Sequence, residues 1–248
     1  MRLFTLLLLL ITLNVASASD LAKEKRWAEQ TVDAIMDGDA TWLNADGHEF
    51  LSIYMEAEEA STNGMIVVHG TGIHPNWDQV VKPIRVGMTA NGWNTLSIQV
   101  PVLANDASYA DYAAVYPEVP ARFKAAEAFL KEQGMEKIVI VGHSQGATMS
   151  SYYVANNDSP AQALVLVGMS DRLGDSVINT LEFLAKINIP VFDLYGSADL
   201  EAVMKSVDSR KQAAAHNADY SQQMIDGADH FFVGKNDELI NAINDWLK

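Results

Sequence analysis

Residues 137–148 read KIVIVGHSQGAT, and this stretch restricts the architecture of the chain more than any other. Ile138, Val139, Ile140 and Val141 form an apolar, β-branched run whose length suits a strand buried on both faces rather than a helix. The run stops at Gly142, and the residues from Ala147 to Val154 read as the start of a helix. A strand passing into a helix across Gly142-His143-Ser144-Gln145-Gly146 must turn within a few residues. Flanking glycines leave room for the close strand-to-helix approach, and the residue at the apex, Ser144, is held with its Oγ exposed. The N–H of Gln145 then lies at a helix N-terminus, where it faces developing negative charge. Five residues of the form G-x-S-x-G are a weak signal alone; the strand before and the helix after give them weight.

The surrounding chain repeats that strand-then-helix order. Strands are expected over 65–68, 95–100, 163–167, 190–195 and 222–226, and helices over 80–90, 117–133, 178–187, 202–216 and 237–247. Repeated βα units predict an α/β fold with a mostly parallel sheet and helices on both faces. Ahead of them, residues 21–36 place Trp27, Val32, Ile35 and Met36 at helical spacing before a stop at Asp37-Gly38. Segments 41–44 and 48–57 then read as strands joined by the Asp46-Gly47 turn, an antiparallel N-terminal edge. No linker rich in Ser, Gly or Pro divides the chain, so a single domain is expected over 19–248.

Residues 1–18 are read as a signal peptide. Arg2 precedes an apolar run over 3–15, and Ala16, Ser17 and Ala18 supply the small residues of a cleavage site after Ala18. The run is shorter than the roughly 20 residues that span a bilayer. Asp20, Lys23, Glu24, Lys25 and Arg26 follow at once, so no stable membrane insertion is expected once the leader is gone. The expected location is the periplasm or the outside of the cell. With no cysteine in the chain there is neither a lipid attachment site nor a disulfide framework. The 32 acidic and 17 basic side chains give a net charge of −15, which becomes −16 when Arg2 leaves with the leader. Such a surface repels nucleic acid and anionic membranes and leaves a small neutral molecule as the expected partner. No protein partner is singled out.

In open α/β sheets, functional groups gather at the carboxyl ends of the strands. Four such ends carry suitable residues: His69-Gly70-Thr71-Gly72, Ser144, Gly196-Ser197-Ala198-Asp199, and Gly227-Ala228-Asp229-His230. Ser, Asp and His, each after a separate strand and in that order, resemble the triad of the α/β-hydrolase superfamily, and the likeness extends from Asp46 onward. The resemblance implies an α/β-hydrolase fold with Ser144 as nucleophile, His230 as general base and then acid, and Asp199 as the carboxylate that orients the imidazole. It also implies an oxyanion hole from the backbone N–H groups of Thr71 and Gln145, with Gly70 and Gly72 keeping the loop close to substrate. The run HGTGIHPNWDQVVKPIRVGMTANGWNTLSIQVP, with the leader and GHSQGA, further resembles a poorly characterised family of proteobacterial exported hydrolase-like proteins. The implied activity is that of a serine hydrolase cleaving a carboxylic ester through an acyl-enzyme. Thioester or amide cleavage uses the same machinery, and a non-catalytic scaffold that binds an envelope component or protein is the rival class.

Other residues admit two readings. Asp171, after the 163–167 strand, competes with Asp199 for the acid position, whereas Asp193 lies inside a strand and reads as structural. His69 and His143 are expected to shape their turns. His74, Asn76 and Trp77 either line the site or pack their loop, and Tyr109, Tyr112 and Tyr116 either wall the pocket or anchor a long loop. The short segment between the 163–167 and 190–195 strands predicts no large lid. Glu56, Glu58 and Glu59 abut a turn and read as a solvated face rather than a metal site. HExxH, His clusters and a GxGxxG after a strand are missing from the sequence, so neither metal nor cofactor is expected.

Overall fold

The computed structural model describes residues 18–171 and 178–248. Its strands are β1 (Asp39–Ala45), β2 (His48–Met55), β3 (Asn63–Val68), β4 (Asn94–Ile98), β5 (Lys137–His143), β6 (Ala163–Val167), β7 (Val191–Ala198) and β8 (Tyr220–Asp229). They form one sheet in the order β1-β2-β4-β3-β5-β6-β7-β8. β2 runs antiparallel to both β1 and β4, and every other pair is parallel. The helices are α1 (Leu21–Val32), α2 (Val81–Gly87), α3 (Val119–Glu132), α4 (Gln145–Asn156), α5 (Thr180–Leu184), α6 (Glu201–Lys205), α7 (Val207–Ala213) and α8 (Asn236–Leu247). This is the expected α/β-hydrolase fold, and among the described residues no large lid covers the strand ends.

Side chains alternate across a strand, so each central strand supplies two cores. Ile66, Val68, Ile140, Leu164 and Leu166 pack with Phe123, Leu130, Met149 and Tyr153 from α3 and α4. Met65, Val67, Val139, Val141 and Val165 pack on the other face with Ile84 and Met88 near α2 and Leu239 and Ile243 from α8. Each such buried aliphatic side chain contributes about 1.5–3 kcal/mol relative to exposure, which holds the strand ends in place without disulfides.

Buried ions add fixed points. Asp193, in β7, accepts from Arg210 Nε at 2.7 Å, from the Tyr220 hydroxyl at 2.7 Å and from Gln222 Nε2 at 3.0 Å. It is structural, as its position inside a strand suggests. Glu24 of α1 accepts from Arg122 of α3 at 2.9 Å, with both side chains buried.

Several boundaries differ from expectation. α1 ends at Val32, leaving Met36 exposed. The helix expected over 202–216 is two, α6 and α7, separated by buried Ser206. β7 and β8 both run past the glycines that read as turn signals. At Gly196 a Cβ would strike the Ala228 carbonyl, so the missing side chain is what lets these strands approach. Asp199 and His230 consequently follow their strands directly.

Candidate active site

The turn between β5 and α4 is as tight as its sequence requires. Ser144 sits at φ 54°, ψ −118°, a region that non-glycine residues seldom occupy. Its N–H donates to the Val167 carbonyl at 2.8 Å, and its own carbonyl accepts from Ala147 and Thr148 at 3.0 and 3.2 Å. Both flanking glycines are sterically required. A Cβ on Gly142 would lie 2.6 Å from the Gly146 carbonyl oxygen, and one on Gly146 would strike the carbonyls of His69 and Val68.

Three strand ends meet at this turn. The Ser144 hydroxyl is 3.0 Å from His230 Nε2, and His230 Nδ1 is 2.6 Å from Asp199 Oδ1. A carboxylate can only accept, which fixes the hydrogen on Nδ1 and leaves Nε2 as the acceptor facing the serine hydroxyl. Asp199 Oδ1 also accepts the Leu200 N–H at 2.7 Å, so the carboxylate is oriented from its own loop. Both Asp199 and His230 are buried. Of the two aspartates left open by the sequence, Asp171 lies elsewhere and accepts the Ser209 hydroxyl at 2.5 Å. Gly168, which no sequence motif marks, has φ +61°, and a Cβ there would sit 3.1 Å from the His230 ring. It leaves room for the imidazole.

Two further histidines surround the turn with both rings buried. His69 Nδ1–H donates to the Gly70 carbonyl at 2.8 Å, while Nε2 accepts from Val100 N–H at 3.1 Å and Gln99 Nε2 at 2.9 Å. His143 Nε2–H donates to the backbone carbonyl of His230 at 2.9 Å, with the two rings 4.9 Å apart. Burial pushes the His69 pKa down to about 3. That of His143 falls to about 4, through burial first and the neighbouring His230 second. Both are neutral at pH 7. They shape their turns as expected, and His143 also fastens the loop that carries His230.

A cleft of about 310 Å³ opens over Ser144. Gly70, Thr71 and Tyr109 line it together with Ser144, Gln145 and His230. Gln145 begins α4, so its N–H has no acceptor within the helix and is available to a ligand. The Gln145 side chain points away, donating from Nε2 to the Tyr116 hydroxyl at 3.0 Å. Other parts of the wall carry no motif, among them Ile73, Ser170, Leu200, Ala202, Val203 and Phe231.

Four residues expected at the substrate are not in this wall. Gly72 is exposed at φ +71° with open space around a would-be Cβ. The buried Tyr112 hydroxyl accepts from Leu103 N–H at 3.3 Å, which makes it an anchor of the long loop that carries it. His74 and Trp77 line a different depression with Trp27 and Gln30 of α1. The His74 ring lies 5.9 Å from Trp27 and 5.5 Å from Trp77, edge to face, so this segment packs on α1 rather than over Ser144. Among the described residues no group of three His, Asp or Glu is gathered to hold a metal.

The parallel sheet with its antiparallel edge, and a serine at the turn between its central strand and the next helix, define the α/β-hydrolase fold class. Within it, the chain belongs to the family described as protein of unknown function DUF3530, whose model matches residues 12–121 and 104–248. Among curated proteins none matches the chain. Solved structures share its fold at low identity. Est1E from Butyrivibrio proteoclasticus is 14% identical with a TM-score of 0.69, over 84% of this chain and 97% of that one. An alpha-beta serine hydrolase homologue from Coxiella burnetii is 17% identical with a TM-score of 0.69, over 86% and 99%. The esterase Pf2001 of Pyrococcus furiosus is 16% identical with a TM-score of 0.69, over 84% and 91%.

Proposed function

We propose that this protein is an exported serine hydrolase, periplasmic or secreted, that cleaves a carboxylic ester through an acyl-enzyme on Ser144. The observation that carries the proposal is the unbroken relay from Asp199 to His230 to Ser144, with contacts of 2.6 and 3.0 Å, at the floor of a cleft. In the proposed reaction Ser144 Oγ attacks the ester carbonyl while His230 Nε2 takes the hydroxyl proton. Asp199 stabilises the imidazolium without taking a proton itself. The backbone N–H groups of Thr71 and Gln145 receive the oxyanion. His230 then delivers its proton to the departing alcohol, and water repeats the sequence to release the acid.

The likeness in fold to the esterase Pf2001 supports this reading, and Est1E, which shares the fold, has been seen with ferulic acid bound. Ile73, Leu200, Val203 and Phe231 offer an apolar wall, which suits an uncharged acyl or alcohol group. Export rests on the leader and on Ala16-Ser17-Ala18. A fluorophosphonate probe is expected to form one covalent adduct, on Ser144 of the folded protein. Equal labelling of Ser144→Ala, or none of the folded wild type, would favour the binding scaffold instead.

A further inference from the structure

Ala18 and Ser19 converge on a single carboxylate. The Ser19 hydroxyl donates to Glu118 Oε2 at 2.7 Å and its backbone N–H to Oε1 at 3.1 Å, while the Ala18 N–H reaches Oε1 at 2.6 Å. Ser19 is only 8% exposed. The residues that follow are clamped to the same region. Asp20 N–H donates to the Val102 carbonyl at 2.8 Å, the Asp20 side chain caps α1 at Lys23 N–H at 2.9 Å, and Lys23 Nζ donates to the Leu103 carbonyl at 2.6 Å. Glu118 ends the 3₁₀ segment Ala110–Glu118, and the residue before that segment, Tyr109, lines the cleft.

We propose that Glu118 is the receptor for the α-ammonium of a mature chain that begins at Ser19, so that removal of the leader locks the new N-terminus onto the segment beside the cleft. The proposal rests on the export reading above. Hydrolysis of the Ala18–Ser19 peptide bond consumes one water. The hydroxyl goes to the Ala18 carbonyl carbon, which departs as the carboxyl end of the leader. The hydrogen goes to the Ser19 nitrogen, which takes a further proton at neutral pH. The nitrogen already 3.1 Å from Oε1 then carries a positive charge, and the Ala18 N–H that also donates to Oε1 departs with the leader. An amide N–H donating to a carboxylate becomes an ammonium–carboxylate ion pair in a partly buried setting, with both partners charged. The Asp20 side chain is engaged in the α1 cap and Lys23 Nζ in the Leu103 carbonyl.

The test is made on the full chain exported from a bacterial host. Intact mass is expected to show a chain starting at Ser19. Carbamylating its α-amine with cyanate while unfolded, then refolding, is expected to lower Tm by roughly 2–4 °C, and to have no such effect in Glu118→Gln. In the folded wild type the α-amine should react with cyanate at least about tenfold more slowly than in a short peptide of the same first residues, a readout that survives if Glu118→Gln does not fold. A chain starting elsewhere would overturn the proposal together with the assigned cleavage site. A chain starting at Ser19 whose carbamylation costs the same with and without Glu118, or whose α-amine reacts as fast as the peptide's, would overturn the lock alone and leave export standing.

Discussion

The carboxyl ends of β3 and β5 and the loop after β8 each carry histidine, and the two regions use the imidazole in opposite ways. At the ends of β3 and β5, the Nδ1 of His69 and the Nε2 of His143 are committed to backbone carbonyls, and both rings are held neutral by burial. After β8, His230 meets only side chains, Asp199 on one nitrogen and Ser144 on the other. His143 and His230 are 4.9 Å apart, so neither position in the fold nor burial separates their roles. The partners of the second nitrogen do. A ring tied to the backbone keeps a loop in place, and a ring between a carboxylate and a hydroxyl can pass a proton.

That contrast orders the expected effects. Ser144→Ala or His230→Ala should lower ester turnover by about 10⁴–10⁶-fold with the thermal transition nearly unchanged, as read by steady-state kinetics beside a melt. Asp199→Asn leaves the shape of the site but removes the acceptor that fixes the His230 tautomer, and should cost roughly 10³–10⁴-fold. Asp171→Asn, whose carboxylate accepts the Ser209 hydroxyl, should stay within a few-fold of wild type. The reverse ranking would move the acid to the β6 end.

The buried pair should instead appear in stability. An unfolded imidazole titrates near 6.5, whereas His143 and His69 in the fold bind protons only near 4 and 3. The unfolded chain therefore holds more protons between these values. Stability is complete above about pH 6.5 and falls as pH drops through the 6.5-to-4 window, by on the order of 3 kcal/mol for each ring. Denaturant midpoints measured from pH 7.5 to 4.5 should decline, and His143→Gln should decline less steeply. His143→Ala should also reduce kcat by about 10–100-fold through misplacement of His230, with KM changed much less. Smallest of all, Leu200→Ala or Phe231→Ala, at the half-exposed rim, should raise KM for medium-chain esters by a few-fold, because each rim contact is worth about 1 kcal/mol.

Much of this was legible in the sequence because strand ends are marked by local chemistry. The β-branched run before Gly142 and the glycines of the turn located Ser144, and the βα repeat gave the parallel sheet. Where local signals competed with packing, they misled. Gly196 reads as a breaker, but its empty Cβ position lets β7 and β8 approach, so β7 continues to Ala198. His74 and Trp77 follow the Thr71 loop closely in sequence, yet the His74 ring turns to Trp27 on α1, a partner 47 residues earlier that no periodicity reveals, and Trp77 packs on His74. Leu200, Val203 and Phe231 carry no motif, and only the meeting of α6 with the β8 loop makes them a wall. Gly168 was equally silent, since its need for φ +61° comes from the His230 ring beside it.

The division between the proton-passing ring and the anchoring rings is tested most directly by the rate at which a fluorophosphonate labels the folded protein, followed by intact mass and peptide mapping. The expected result is a single adduct on Ser144 that forms rapidly in the wild type. It should form about 10–100-fold more slowly in His143→Ala, still more slowly in His230→Ala and not at all in Ser144→Ala. Labelling at another residue, or His230→Ala reacting as fast as wild type, would contradict it.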